Sequence, residues 1–247
     1  MVESYLVNIS VIIPAFNEEK LIAATLEHIA ASTAAFTRLG WSIETIVCDN
    51  NSTDRTAEIA RAAGAKVIFE PINQISRARN AGAASASGEW LIFVDADSHP
   101  SVGLFESVAD AIRSGRFIAG GSTIAITEKY PVARMAVGGW NLLSRIRRWA
   151  AGSFIFCEAT AFLEIGGFST ELFASEEIDL SNRLQKLARQ RGKRMTILHR
   201  HPIVTSVRKM HLYTLREHLR FLWRLAIQRG RPMKSREECA IWYDGRR

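Results

Sequence analysis

The sequence predicts an α/β fold: a mostly parallel sheet flanked by helices, followed by a basic helical C-terminal extension. Three observations carry this expectation. The first hundred residues alternate short apolar runs with helical patterns, as strand-helix-strand units do. The most continuous of those runs, WLIFV at Trp90–Val94, leads directly into Asp95-Ala96-Asp97. Charge is also split along the chain. Residues 1–182 carry 14 Lys/Arg against 21 Asp/Glu, whereas residues 183–236 carry 16 Lys/Arg against one acid, Glu217.

Taken in order, NISVIIP at Asn8–Pro14 is a buried-strand run that stops at a proline. Glu18–Leu39 reads as a helix with Leu21, Leu26 and Ile29 on its inner face and Gly40 past its end. Ile43–Cys48 is the second strand. Thr53–Ala63 is the next helix, with Ser52 or Asp54 near its cap and Gly64 as its stop. Lys66–Phe69 is the third strand, Ser76–Ser87 a small-residue helix ending at Gly88, and Trp90–Val94 the fourth strand. Ligands in open α/β sheets bind beyond the carboxyl ends of strands, so the segments after strands one, two and four are the places to look.

The second half is less regular. Pro100–Ser114 reads as a helix, Phe117–Ile126 as a strand, and Pro131–Trp149 as an amphipathic segment with a basic end. Ser153–Cys157 is a strand, Gly166-Gly167 a turn, Glu176–Gln190 a helix and Met195–Arg208 extended. Thr214–Arg229 is a helix with a capping box at Thr214 and Glu217. The expected organisation is one domain over residues 1–212, with halves of about 1–98 and 99–212, and an extension over 213–247.

Composition excludes several classes. Of 247 residues, 47% are apolar and 23% charged, which is globular and not disordered. Cys48, Cys157 and Cys239 are far apart and lack metal-site spacing, as in a reduced, cytoplasmic protein. The opening Met-Val-Glu-Ser-Tyr-Leu has no signal-peptide pattern, and no window is apolar enough to span a bilayer. The basic stretch after residue 183 is either a solvated face or a contact with something anionic.

Asp95-Ala96-Asp97 is the strongest local signal. Two carboxylates leaving a hydrophobic strand can surround one hard cation, and Mg²⁺ and Mn²⁺ share such ligands with substrate phosphates. Asp49, closing the second strand in Asp49-Asn50-Asn51-Ser52-Thr53-Asp54, can accept a hydrogen bond from the N–H of a uracil or guanine, or the whole stretch can simply cap the next helix. Pro14-Ala15-Phe16-Asn17-Glu18-Glu19 turns the chain where backbone groups can edge a nucleotide. Arg77 and Arg79 stand ahead of a small-residue helix, where phosphate binding is physically sensible.

Together these stretches resemble the family 2 glycosyltransferases, which have the GT-A fold. The resemblance rests on SVIIPAFNEEKLIAATL, VCDNNSTDRTAEIA, ISRARNAGAASASGEWLIFVDAD and GGFSTELFASEEIDLSNRL, and covers roughly residues 8–190. It implies that Pro14, Ala15, Asn17, Glu18 and Asp49 hold the base and ribose of a nucleotide-diphosphate-sugar donor, UDP- or GDP-linked. Arg79 and Asp95 would approach its phosphates, and Asp97 with Asp95 would ligate Mn²⁺ or Mg²⁺. Glu177, in Glu176-Glu177-Ile178-Asp179, matches the position of the family's catalytic base, which is usually Asp. The same stretch can also be an acidic helix start with Asp179 and Arg183 paired. Gly166-Gly167-Phe168 resembles the turn on the acceptor side. His201, or His199, is expected as a further metal ligand.

The resemblance implies an inverting transferase acting on a hydroxyl or phosphate acceptor, lipid-linked or a polysaccharide precursor. Since many relatives use lipid-linked acceptors, the basic C-terminal helix and the Arg145–Trp149 cluster suggest an anionic membrane surface on the inner face of the cell membrane. A dehydrogenase is disfavoured because no Gly-x-Gly-x-x-Gly follows the first strand, and a nucleotidyltransferase because no glycine-rich basic loop does. A degenerate nucleotide-sugar binder stays open. Nucleic acid is not an expected partner, since the tail lacks a recognition motif.

Overall fold

The structure is a computed structural model that describes residues 7–127 and 131–205. The helix expected at Thr214–Arg229, with the 213–247 extension and Cys239, lies outside the described residues. In chain order the first elements are β1 (Asn8–Ala15), α1 (Ile22–Ser32), α2 (Ala34–Thr37), β2 (Ser42–Asp49), α3 (Thr56–Ala62), β3 (Lys66–Phe69), α4 (Ile75–Ala84) and β4 (Trp90–Val94). Then come β5 (Ser98–His99), α5 (Val102–Arg113), β6 (Phe117–Ile126), α6 (Pro131–Arg147), β7 (Phe154–Glu158), α7 (Ala159–Glu164), α8 (Glu176–Gln190) and β8 (Arg194–Thr205).

The strands form one sheet in the order β3-β2-β1-β4-β7-β6-β8-β5. The expected parallel half is present: β2 pairs with β1 and β3, and β4 with β1, all parallel. The second half is mixed. β7 runs antiparallel between β4 and β6, and β8 returns parallel to β6. Successive side chains of a strand point to opposite faces, so β1 and β4 feed two cores. Ile9, Val11 and Ile13 of β1, with Ile92 and Val94 of β4, pack on α1, α2 and α5 through Leu26, Phe36 and Phe105. Ile12, Leu91 and Phe93 face the other way, onto Phe162 of α7 and Leu180, Leu184 and Leu187 of α8. Burial on both faces is why these strands read as continuous apolar runs. Cys48 and Cys157 are buried and unpaired, and burial pushes the Cys48 thiol up to about 12.

Several boundaries move for identifiable reasons. The long first helix begins only at Ile22, because the backbone N–H groups of Asn17, Glu18 and Glu19 are taken by Ser52, Thr56 and Asp54. It then divides at Thr33, whose hydroxyl donates back to the Ala30 carbonyl. α3 starts at Thr56 with Arg55 at its N-cap, and Asp54, next to it, accepts from the Thr56 N–H and hydroxyl, as expected of a residue near the cap. β5 and α7, both short, are additions to the expected set.

The segment before β4 passes very close to β1. Gly88 donates to the Ser10 hydroxyl, and a Cβ at residue 88 would lie 2.5 Å from the Ser10 backbone nitrogen. Gly88→Ala must therefore displace backbone, and we expect a loss of about 1–3 kcal/mol, read as a lower urea midpoint with an unchanged m-value.

Candidate active site

Carboxyl ends of β1, β2 and β4 converge with the N-termini of α4 and α8 around one cavity of about 480 Å³, within the range of small-molecule sites. Most of the predicted site residues meet there. Pro14, Ala15, Glu18, Arg79, Asp95, Asp97 and Glu177 line it, although they come from separate parts of the sequence. Asn73, Trp140, Ser153, Phe173 and Ser175 complete much of the wall.

The exits of β1 and β2 are sewn together. Asn17, in the left-handed region at φ 53°, accepts from the Thr53 N–H with its side chain while donating its own N–H to Ser52. It belongs to this seam and does not line the cavity. Asp49 is buried at the end of β2, where its Oδ1 accepts from the Ser52 N–H at 3.0 Å. The neighbouring residue, Asn50, forms the wall instead. Its side chain donates to the carbonyls of Glu70 and Ile72 and accepts from the Gln74 N–H, fixing the approach to α4.

Arg79, on α4, is the most deeply buried charge, at 1% exposure. Its Nη1 donates to Glu176 at 2.7 Å, and Nη2 donates to Asp95 at 2.9 Å and to the Gly152 carbonyl at 2.9 Å. Its guanidinium also lies 5.1 Å from the centre of the Phe168 ring. Both terminal nitrogens thus hold Asp95, Glu176 and the 152 carbonyl, and the residue also lines the cavity. Arg77 is not part of the wall. Glu176, missed in the sequence in favour of its neighbour, is 5% exposed and is the second anchor of Arg79.

Two further links from α4 hold the turn ahead of α8. Asn80 exchanges hydrogen bonds with the backbone of Phe168, and Gln74 donates to the carbonyls of Thr170 and Leu172. Gly166 and Gly167 both have positive φ, as the expected turn requires. Ser175 enters α8 in the left-handed conformation at φ 61°, an uncommon state for a residue other than Gly or Asn. Asp179 and Arg183 do pair, at 2.6 Å, without involving Glu177.

Among the described residues, Glu18, Asp95, Asp97, Glu176 and Glu177 line the cavity together with one cation, Arg79. Burial, then repulsion from Glu176 and Asp95, pushes the Glu177 carboxyl up to about 8, although Arg79 pulls the other way. Without a cation, these surroundings favour the protonated form of Glu177.

Asp95 and Asp97 fit a hard divalent cation by donor chemistry, and both face the cavity. Among the described residues, no three His, Cys, Asp or Glu side chains are grouped as a metal site. His201 does not join the two aspartates. It is exposed, and its ring sits over Gly103 of α5, where a Cβ on Gly103 would come within 2.7 Å of Nδ1. The irregular register of β8 opposite Ser122–Ile124 includes residues 199–202 and defeats the simple alternation from which a shared histidine face is expected. His199 is likewise exposed.

The sequence profile of glycosyl transferase family 2 matches residues 10–164. An uncharacterized glycosyltransferase of Mycobacterium tuberculosis is 32% identical over 143 residues, covering 56% of this chain and 61% of that one. The 4,4'-diaponeurosporenoate glycosyltransferase of Staphylococcus haemolyticus is 40% identical over 97 residues, 36% of this chain and 24% of that one. The chain thus spans about three fifths of the mycobacterial relative's length. Among solved structures, S. aureus TarS 1–349 with UDP-GlcNAc superposes with a TM-score of 0.64 at 22% identity, covering 81% of this chain and 59% of that one. A mannosyltransferase from Pyrobaculum calidifontis with GDP-Man and Mn²⁺ gives 0.65 at 20% identity, covering 93% and 63%. These likenesses establish the fold as that of the GT-A glycosyltransferases.

Removing the central cation should be costly. Arg79→Met strands Glu176 in a buried site, and we expect a loss of about 3–5 kcal/mol in urea unfolding. The double variant Arg79→Met/Glu176→Leu should recover a large part of it, because the more deeply buried of the two carboxylate partners is then gone.

Proposed function

The chain belongs to glycosyl transferase family 2, and we propose that it transfers a sugar from a UDP- or GDP-linked donor, with inversion and with a divalent cation, to an acceptor hydroxyl or phosphate. One observation carries the reading: among the described residues, Asp95 and Asp97 leave a buried strand into a cavity whose lining is rich in acidic side chains, where a diphosphate is better accommodated together with a cation. Asp97 and Asp95 are the residues that would hold Mn²⁺ or Mg²⁺, whose contribution would be to neutralise charge on the leaving diphosphate. The solved relatives that carry UDP-GlcNAc, or GDP-Man with Mn²⁺, support the same donor class.

In this reading Pro14, Ala15 and Glu18 edge the nucleoside, with Asn50 and Asn73 beside them and Asn17 and Asp49 holding that wall from behind. Glu177 is the base. It takes the acceptor's proton as the acceptor oxygen bonds to the anomeric carbon and the bond from that carbon to the diphosphate oxygen breaks. The reaction is proposed to occur at the inner face of an anionic membrane, on a lipid-linked acceptor or polysaccharide precursor. The basic stretch 183–236 supports that setting.

Donor binding can be read from thermal unfolding with UDP, GDP or CDP, each with and without Mn²⁺. One nucleotide should stabilise the protein only with the metal, by about 2.7 kcal/mol at a hundredfold excess over Kd, and Asp97→Ala should abolish the effect. Stabilisation that is indifferent to metal would remove the cation from the proposal. Binding without turnover of any nucleotide sugar would make the chain a degenerate binder.

Glu177→Gln should lower turnover roughly 10²–10⁴-fold while preserving donor binding. The wild-type kcat/KM, which reports the free protein, should rise with pH towards about 8, where the base ionises. The stability effect has the opposite sign. A folded-state value of about 8 against an ordinary 4.5 means that the folded protein keeps a proton the unfolded chain has lost. Wild-type stability should therefore fall relative to Glu177→Gln as pH rises across that window, and parallel curves for the two proteins would count against the buried carboxyl.

A further inference from the structure

α6 is amphipathic, yet its apolar stripe faces outward. Met135, Leu142 and Ile146 are spaced two turns and then one turn apart, so they share one side of the helix. They are 77%, 60% and 69% exposed. The opposite side is a narrow strip. Ala133 and Ser144 are buried, Asn141 clamps the backbone N–H and carbonyl of Ile124 in β6, and Trp140 reaches the cavity wall. A helix that presents its apolar residues to solvent while anchoring itself through small and polar ones is oriented for something other than its own core.

Charge identifies the partner. Arg134 and Arg145 flank the stripe on one side and Arg147 on the other, with Arg148 just beyond, all exposed. From residue 131 to residue 157 there is no Asp or Glu. Trp149 extends the basic end, with the Arg147 guanidinium 5.0 Å from its ring centre. Apolar side chains that can enter the acyl boundary, ringed by arginines at headgroup height, match an anionic lipid surface and not a nucleic acid, which would leave the stripe unused.

We propose that the outward face of α6 docks on an anionic phospholipid bilayer and that Trp140, on its inward side, couples this docked helix to the cavity. The inference deepens the membrane part of the proposed function and is independent of the transfer chemistry. It accounts for how an acceptor carried in a bilayer meets a donor bound at β1 and β4, since one helix touches both environments.

The test uses the full chain in co-sedimentation with vesicles of phosphatidylcholine alone or mixed with phosphatidylglycerol, at low salt. Binding should require the anionic lipid, and both Leu142→Ser/Ile146→Ser and Arg145→Gln/Arg148→Gln should weaken it by roughly tenfold or more. Both variants should keep the wild-type thermal midpoint and its shift with nucleotide and Mn²⁺. The proposal is overturned if the wild type does not pellet with anionic vesicles. It is also overturned if both variants bind like the wild type, which assigns binding to residues 206–247. Loss in the arginine variant alone points to a general polyanion site such as one for nucleic acid. A lowered midpoint in Leu142→Ser/Ile146→Ser shows that the stripe is covered by protein, from this chain or a second copy, and overturns the proposal too. Vesicle binding that persists without any nucleotide effect sinks the donor reading and leaves this one standing.

Discussion

Everything at the cavity depends on a guanidinium that has no access to water. Arg79 joins Asp95, at the end of a strand in the parallel half of the sheet, to Glu176, in the first turn of a helix more than ninety residues later. Transferring that charge from water is expensive, and two carboxylates, a carbonyl and an aromatic face must all be present to offset it. Each partner is thereby held to a position set by the others. The geometry explains why α4 is so rich in small residues. Gly82 has its missing Cβ 2.4 Å from an Ile12 methyl, so the helix lies close enough to β1 for Arg79 to reach under the cavity floor. Asn80 and Gln74 then tie the 166–175 turn to the same helix, so that the two halves of the domain share one strap.

Satisfying Arg79 internally has an electrostatic consequence. Its charge is shared between Asp95 and Glu176, while Glu177 lines the same space. The least costly response available to the protein alone is to keep a proton on Glu177, which has the carboxyl most strongly opposed by burial and by its neighbour Glu176. The chemistry assigned to Glu177 needs the opposite state. An arriving divalent cation would add positive charge where the excess lies, favouring release of that proton, so donor binding and activation of the base become linked through the field inside the cavity.

Much of this was legible in the sequence because the signals were local. Strands β1 and β4 are buried on both faces and show as apolar runs. Asp95 and Asp97 stand at the end of the clearest of them, and the start of α8 at Glu176 follows from its acidic first turn. What stayed hidden depends on partners distant in sequence. Nothing near Glu176 announces that Arg79 will find it in preference to Glu177, or that Asn50 will satisfy three backbone groups from the next loop. The antiparallel insertion of β7 could not be anticipated either, since FIFCE is as apolar as a parallel core strand and direction leaves no mark on composition. The histidines near residue 200 lie apart from the two aspartates for a related reason: a register shift between two strands is a property of the pair.

Helix α6 shows the limit of periodicity from the other side. A moment along a helix says that one face is apolar, and the usual inference sends that face inward. Here Ala133 and Ser144 are the buried residues of the helix, and the bidentate grip of Asn141 on Ile124 fixes the rotation. Turning the helix to bury Leu142 and Ile146 would break both of those hydrogen bonds and withdraw Trp140 from the cavity wall. The outward stripe is therefore enforced by polar contacts, and a protein that enforces the exposure of Met, Leu and Ile between arginines has a surface shaped by what lies outside it.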